Sequence, residues 1–171
     1  LEVLPKSVQK IAVLDRTKEA GSIGEPLYLD IISALKDTEI EIVGGRYGLS
    51  SKNTTPDQIM AVYNMLESKL QNNFTIGIND DVTYLSLPVD SYNLELNCQE
   101  LKVWGFGSDG MVSASKDMLT IANSQLGKYV QGYFEYDSKK SGGVTISHLR
   151  VGQAPINAPY YVVSPSIIVV T

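Results

Sequence analysis

The chain has very few of the residues on which metal and redox chemistry depend. Its 171 residues include one cysteine, Cys98, and one histidine, His148. A single cysteine excludes an internal disulfide, and this chain alone cannot build an iron–sulfur cluster or a cysteine-based zinc site. Scarce cysteine also favours a reducing compartment. We therefore expect no metal site in the chain and a cytoplasmic location.

Basic residues and long apolar runs are scarce as well. The chain has 14 Lys+Arg against 19 Asp+Glu, for a formal net charge of -5. Affinity for nucleic acids depends on clustered basic side chains, so we expect no nucleic-acid partner. Apolar runs such as residues 167–170 are far shorter than the roughly 20 residues of a membrane span, which predicts no membrane partner. The start of the chain at Leu1 lacks a signal-peptide pattern and indicates an internal segment of a longer protein.

What is present is the alternation typical of an α/β chain, at 43% hydrophobic residues. Predicted helices begin at Pro26, Pro56 and Met111, the last running to about residue 126. Predicted strands cover residues 11–15, 40–44, 74–78, 101–106, 129–137, 144–151 and 160–170. The periodicity breaks down between residues 81 and 100. We predict Rossmann-like, mostly parallel sheets with flanking helices, in two partial domains of residues 1–95 and 96–171.

A GxGxxG motif follows the fourth predicted strand and opens the third predicted helix. In such a motif the first glycine permits a tight turn, the second lets a phosphate approach the backbone, and the third lets the helix pack on the strand. The free N–H groups and positive dipole end of the helix favour an anion. The motif predicts a phosphate site, although a purely structural turn is an equal alternative. The site would use Gly105, Gly107, Ser108, Asp109 and Gly110.

The residues after the next predicted strand indicate which nucleotide such a site would take. NAD sites place an acidic side chain there, whereas a basic one accommodates an additional ribose phosphate. Here Asp137 and Ser138 are followed at once by Lys139, Lys140 and Ser141. Two ammonium groups favour a phosphorylated ribose, as in NADP or coenzyme A. The alternative is a solvated hairpin loop.

Other candidate residues carry a weaker signal. His148 lies within a predicted strand, where a structural histidine is the more probable interpretation. Arg16, Lys18 and Arg46 follow strands, which is where open α/β sheets bind ligands. These three could equally form ion pairs with nearby acidic residues such as Glu25.

Five strings in the sequence closely resemble consecutive segments of pyruvate:ferredoxin (flavodoxin) oxidoreductases. They cover nearly the whole chain in order, and the strings YDSKKSGG and DRTKE…GEPLYLD are the most specific. The chain departs from the family pattern at Met111 and at residues 113–115, where a TVGANK-like run is more usual. The five strings lie at residues 11–30, 44–56, 74–87, 103–116 and 132–152.

The resemblance implies an enzyme that decarboxylates pyruvate on thiamine diphosphate, passes electrons through iron–sulfur clusters to ferredoxin or flavodoxin, and forms acetyl-CoA. Residues 1–95 would be the later part of a transketolase C-terminal-like domain. Residues 96–171 would start a gamma-type domain associated with CoA. Thiamine diphosphate, the clusters and every catalytic residue would lie outside this stretch.

The same resemblance implies partners for the chain. They would be the remaining domains of a parent enzyme, a second copy in a homodimer, and ferredoxin or flavodoxin as the electron acceptor. Two other interpretations stay open: scaffold domains that hold no ligand, and an NADP-binding reductase domain.

Overall fold

Two separate sheets organise the chain. The computed structural model describes residues 3–80, 82–92, 94–138 and 142–171. The chain divides into two units, Leu1–Leu94 and Glu95–Thr171, which are described separately below. Within the described ranges, no helix is both long enough and apolar enough to cross a membrane.

The first unit is a three-stranded parallel sheet with a helix on each face. The strands are ordered β1-β2-β3. Tyr28 of the first helix packs on Gly44, whereas Val62 of the second helix clusters with Val43. Because successive strand residues face opposite sides, the two helices cover opposite faces of the sheet. The elements are β1 (Lys10–Asp15), α1 (Pro26–Ala34), β2 (Glu41–Arg46), a 3-10 turn (Leu49–Ser51), α2 (Pro56–Glu67) and β3 (Phe74–Thr75).

Both helices of this unit begin at the predicted prolines. At α2, Gln58 Oε1 accepts the Thr55 amide at 3.3 Å, which is half of a capping box. At α1, the buried carboxylate of Asp15 accepts the amides of Leu27 and Tyr28 at 3.0 and 3.1 Å. The end of β1 thus supplies the anion that the positive end of α1 favours.

Strand β3 is shorter than the predicted strand over residues 74–78. The amide of Ile76 still donates to the Arg46 carbonyl at 3.0 Å. Gly77 then adopts a φ of 75°, which turns the chain away from the sheet. Before this turn, the fully buried Phe74 ring lies directly against Gly45, where a Cβ would overlap the ring. The short strand therefore serves mainly to insert Phe74 into the core.

The second unit is a four-stranded mixed sheet with one helix. Its strand order is β5-β6-β4-β7. Strand β6 is antiparallel to both β4 and β5, and β7 is parallel to β4. Three of the four strands therefore run in one direction. The predicted α/β class with Rossmann-like character is confirmed, with β6 as the antiparallel exception. The elements are β4 (Cys98–Phe106), α3 (Met111–Ser124), β5 (Tyr129–Tyr136), β6 (Val144–Gly152) and β7 (Ile167–Val170).

The two faces of the second sheet are covered in different ways. Leu119 of α3 packs on Val103 and Leu149 to form an apolar core on one face. On the other face, the fully buried Arg150 donates to the carbonyl oxygens of Ala158 at 3.2 Å and Tyr160 at 2.7 Å. The Arg150 side chain thus holds residues 158–162, a segment that forms no regular strand. The strand predicted over residues 160–170 forms only at Ile167–Val170, after Pro165, which cannot donate a ladder hydrogen bond.

Candidate functional site

A cavity of about 480 Å³ opens at the carboxyl edge of the second sheet. The carboxyl ends of β4 and β5 meet there, because both strands pair antiparallel with β6. The GxGxxG turn follows β4 and opens α3, as the sequence predicts. The cavity is lined by Gly107, Ser108, Val112, Tyr136, Asp137, Ser138, Gly143, Val144 and Thr145.

The geometry of the turn explains why two of its three glycine positions favour glycine. A Cβ on Gly105 would lie 2.6 Å from Asp109 Oδ2 and 3.0 Å from Met111 Cβ, so a larger residue there would displace the Asp109 carboxylate. Gly110 caps α3 with a φ of 89°, a conformation that favours glycine. Ser108 adopts a φ of 76° on the cavity wall. For a serine this left-handed conformation costs about 1–2 kcal/mol, and such strain is typical of functional turns.

The carboxylate of Asp109 occupies part of the amide-lined turn. It accepts the Phe106 amide at 2.6 Å and the Met111 amide at 2.8 Å. These hydrogen bonds, that from Met111 above all, lower the pKa of the Asp109 carboxyl below its ordinary value. The Thr171 hydroxyl donates to the same carboxylate at 3.2 Å. An acidic side chain of the motif itself therefore fills a position predicted for a phosphate.

Two further amides of the turn are also engaged. Gly107 donates to the Gly143 carbonyl at 2.8 Å, and Asp109 donates to the Phe106 carbonyl at 3.1 Å. Within the described part of the chain, the backbone amides of Ser108 and Val112 have no hydrogen-bond partner. Any anion that contacts this backbone from the cavity would use those amides. The predicted role of the turn in phosphate binding stays a prediction.

Charge at this cavity comes from the segment that joins β5 and β6. Among the described lining residues, Asp137 is the only one with a charged side chain. The predicted ligands Lys139, Lys140 and Ser141 lie outside the described residues. In sequence they directly follow Ser138, which lines the cavity.

The sequence analysis missed five of the described cavity residues, which are Val112, Tyr136, Gly143, Val144 and Thr145. Val112 lies two residues beyond the motif, Tyr136 ends β5, and Thr145 lies opposite Tyr136 in the register of β6. Proximity to the motif and to a strand end could have indicated the first two. Thr145 depends on the antiparallel pairing of β6 with β5, which the hairpin interpretation of the residues after β5 would have implied.

His148 lies away from the cavity, in a structural environment. Its side chain is 2% exposed, and its Nε2 is 2.5 Å from Glu135 Oε1. The imidazole ring stacks on Tyr161 with centroids 4.4 Å apart. Desolvation lowers the pKa of His148 below its ordinary value, although the Glu135 carboxylate opposes this shift. This environment matches the structural interpretation of His148.

Among the described residues, no group of three or more His, Cys, Asp or Glu side chains could hold a metal ion.

The sheet, the crossover helix and the glycine-rich turn place the second unit among Rossmann-like α/β proteins. Residues 100–171 match the family model described as pyruvate ferredoxin/flavodoxin oxidoreductase. Over 93% of its length, the chain is 48% identical to a pyruvate-flavodoxin oxidoreductase of Enterobacter agglomerans. Over 95%, it is 50% identical to a pyruvate:ferredoxin oxidoreductase of Moorella thermoacetica. Over nearly its whole length the chain therefore matches a segment of pyruvate ferredoxin/flavodoxin oxidoreductases, which confirms the resemblance in its sequence.

The match extends over a small part of each relative. The chain spans 14% of the length of both proteins. A pyruvate dehydrogenase (NADP+) of Cryptosporidium parvum is 47% identical over 92% of this chain and 9% of its own length. Among solved structures, the PORC subunit of a Thermotoga maritima pyruvate oxidoreductase is 27% identical, with a TM-score of 0.35. It covers 44% of this chain and 38% of that subunit.

Proposed function

We propose that this chain is one segment of an enzyme that converts pyruvate and CoA to acetyl-CoA and CO2. The two electrons released would pass to ferredoxin or flavodoxin. The support is the identity of 48–50% to relatives that carry those names. Thiamine diphosphate and the iron–sulfur clusters would be held by other parts of the enzyme, since the single Cys98 cannot hold a cluster.

Within that enzyme, the second unit would bind the anionic groups of CoA. The observation that carries this proposal is the cavity of about 480 Å³ at the carboxyl edge of the second sheet. Ligands of open α/β sheets bind at this edge, and the volume lies within the usual range of ligand pockets. The strained conformation of Ser108 on the cavity wall gives further support.

The anion would bind on the cavity side of the turn. The Asp109 carboxylate already accepts the Phe106 and Met111 amides, so a phosphate would use the amides of Ser108 and Val112 instead. Lys139 and Lys140 would add charge-assisted hydrogen bonds, each worth about 1.5–3 kcal/mol. They would also offset the negative charge of Asp137. The unit would then position the CoA thiol, contributing proximity to the reaction instead of acid–base chemistry.

Replacing both lysines in the full-length enzyme tests this role. Lys139→Ala combined with Lys140→Ala should raise the CoA concentration needed for half-maximal activity about tenfold or more. Decarboxylation of pyruvate should change little. Lys128→Ala is the matched control, because Lys128 precedes β5 at the opposite edge of the sheet. Unaltered CoA dependence in the double variant would refute the assignment.

Calorimetric titration of the chain separates the competing interpretations. Binding of CoA that weakens in the double lysine variant supports the proposal. Tighter binding of NADPH than of CoA would favour a reductase domain. If the double variant of the full-length enzyme keeps its CoA dependence and the chain binds neither molecule, the scaffold interpretation is correct.

A further inference from the structure

A second cavity, in the first unit, has no role in the proposed function. It encloses about 270 Å³ at the carboxyl edge of the parallel sheet, where β1, β2 and β3 end. This is again the edge at which open α/β sheets bind ligands. We name it the first-unit cavity. It is lined by Lys18, Arg46, Leu49, Thr75, Ile78, Asn79, Asp80, Thr83 and Leu85.

Three lining side chains offer hydrogen-bond donors with unused capacity. Arg46 pairs through Nε with Glu25 and donates from Nη1 to the Asn73 carbonyl at 3.1 Å. Within the described ranges, its Nη2 has no partner. The exposed Lys18 forms no ion pair, and the side chain of Asn79 no hydrogen bond, with any described residue. A guanidinium, an ammonium and a carboxamide thus border one small cavity.

Among the described residues, the acidic side chains of Asp80 and Glu25 lie beside this cavity, and both already accept hydrogen bonds from the protein. Asp80 accepts the amides of Val82 and Thr83 at 3.0 Å and that of Leu85 at 3.2 Å, together with the Thr83 hydroxyl. These bonds, led by the hydroxyl of Thr83, hold the pKa of Asp80 far below its ordinary value. The carboxylate therefore stays ionised and saturated, and its bonds fix the loop that forms one wall.

Each oxygen of a second nearby carboxylate, that of Glu25, also has a partner. Glu25 is 3% exposed. It accepts the Glu19 amide at 2.6 Å and pairs with Arg46. This pair neutralises Arg46, so the charges left among the described lining residues are those of Lys18 and of the Asp80 carboxylate, whose oxygens are taken up by the amides of its own loop.

The backbone at the rim is strained. Ser50, beside the lining residue Leu49, has a φ of 55°, and Tyr84, between two lining residues, has a φ of 54°. Non-glycine residues in this conformation cost about 1–3 kcal/mol each and cluster at ligand sites. Two such residues lie beside the lining of one small cavity, which favours a binding role for this wall over a purely structural one.

We propose that the first-unit cavity binds a small organic anion bearing one carboxylate or phosphate group. The anion would be held by Lys18 Nζ, Arg46 Nη2 and the Asn79 carboxamide. The first-unit cavity, at about 270 Å³, is little more than half as large as the cavity of about 480 Å³ in the second unit. It therefore suits a small ligand and not a nucleotide. The site is independent of the CoA proposal, since the two cavities share no residue.

Titration of the chain with inorganic phosphate and, separately, with acetate tests the proposal, and the two probes distinguish phosphate from carboxylate recognition. Ionic strength is held constant with chloride, and backbone amide NMR shifts report binding. We expect saturable shifts centred on Lys18, Asn79 and Thr83 with at least one probe. Lys18→Gln should weaken binding about threefold or more, as expected for an exposed charged contact.

Lys36→Gln is the matched control. It removes the same charge from an exposed position of the same unit, between α1 and the amino end of β2. Weaker binding in Lys18→Gln alone supports the site. The proposal is overturned if neither probe saturates, if Lys18→Gln binds as the unchanged chain does, or if both variants lose affinity equally. Lys139→Ala with Lys140→Ala should leave these shifts unchanged, whatever its effect on CoA.

Discussion

Replacing Arg150 with methionine should lower the free energy of unfolding of the second unit more than replacing any other of its described polar side chains. The guanidinium is 1% exposed and makes four hydrogen bonds. Nε donates to Glu100 at 2.7 Å, and Nη1 donates to Gln131 at 3.1 Å and to the carbonyls of Ala158 and Tyr160. Methionine fills most of the volume but satisfies none of these acceptors. The variant therefore leaves a carboxylate, the Gln131 carboxamide oxygen and two backbone carbonyls without their donor.

The expected cost follows from the burial of the pair. Removing one partner of a buried ion pair costs about 3–5 kcal/mol. Glu100 is 20% exposed and can regain part of its hydration, so we expect a value near the lower end, about 3 kcal/mol. For a domain of this size, such a loss lowers the melting temperature by more than about 10 °C.

A double-mutant cycle with Glu100→Gln measures the pair itself. Urea unfolding of the chain gives the free energy of each variant, and the coupling energy should be about 1–3 kcal/mol. Amide hydrogen exchange should accelerate at Val162 and its neighbours, because their segment loses its anchor. A cost below about 1 kcal/mol for Arg150→Met, or strict additivity of the two changes, would contradict the assigned role.

Three further predictions concern packing, pH and capping. Gly45→Ala should destabilise the first unit by about 1–3 kcal/mol in urea unfolding, because the new Cβ would overlap the fully buried Phe74 ring; an unchanged midpoint would show that the ring can move. Since the folded pKa of His148 lies below its ordinary value of 6.5, the unfolded chain binds the proton first, and stability should fall as the pH drops below about 6.5. His148→Phe should flatten that dependence, and an equally steep profile would assign it to another group. Asp109→Ala should speed amide exchange at Met111 and Ala114 in the first turn of α3, with α2 as the internal control; unchanged exchange would mean that the carboxylate does not cap the helix.

Local signals in the sequence predicted the parts of the fold that depend on local physics. Pro56 and Gln58 predict where α2 begins, because proline lacks the N–H that a first helical turn cannot use, and glutamine reaches back to the capping residue. The GxGxxG motif predicts the turn between β4 and α3 for a similar reason. Gly105 and Gly110 are needed by the local backbone, whatever binds there.

Features that depend on distant residues were not predictable in this way. The pairing of β6 with β4 joins residues far apart in sequence, and no short pattern predicts it. The irregular segment at Ala158 depends on Arg150, a charged residue in the middle of a strand. Strand periodicity predicts on which face of the sheet such a side chain lies, but not which residues it contacts.

The candidate site shows where a motif stops being informative. Asp15 fills the amino end of α1, and Asp109 fills part of the turn before α3. In both cases a carboxylate of the chain takes the position that a strand–helix turn offers to an anion. A glycine-rich motif therefore predicts a backbone conformation and a favourable potential for negative charge, but not whether that charge comes from a ligand or from the protein. For the second unit, side chains outside the motif would determine whether a ligand supplies that charge. Replacing Lys139 and Lys140 is therefore a stronger test of CoA binding than any change to the glycines.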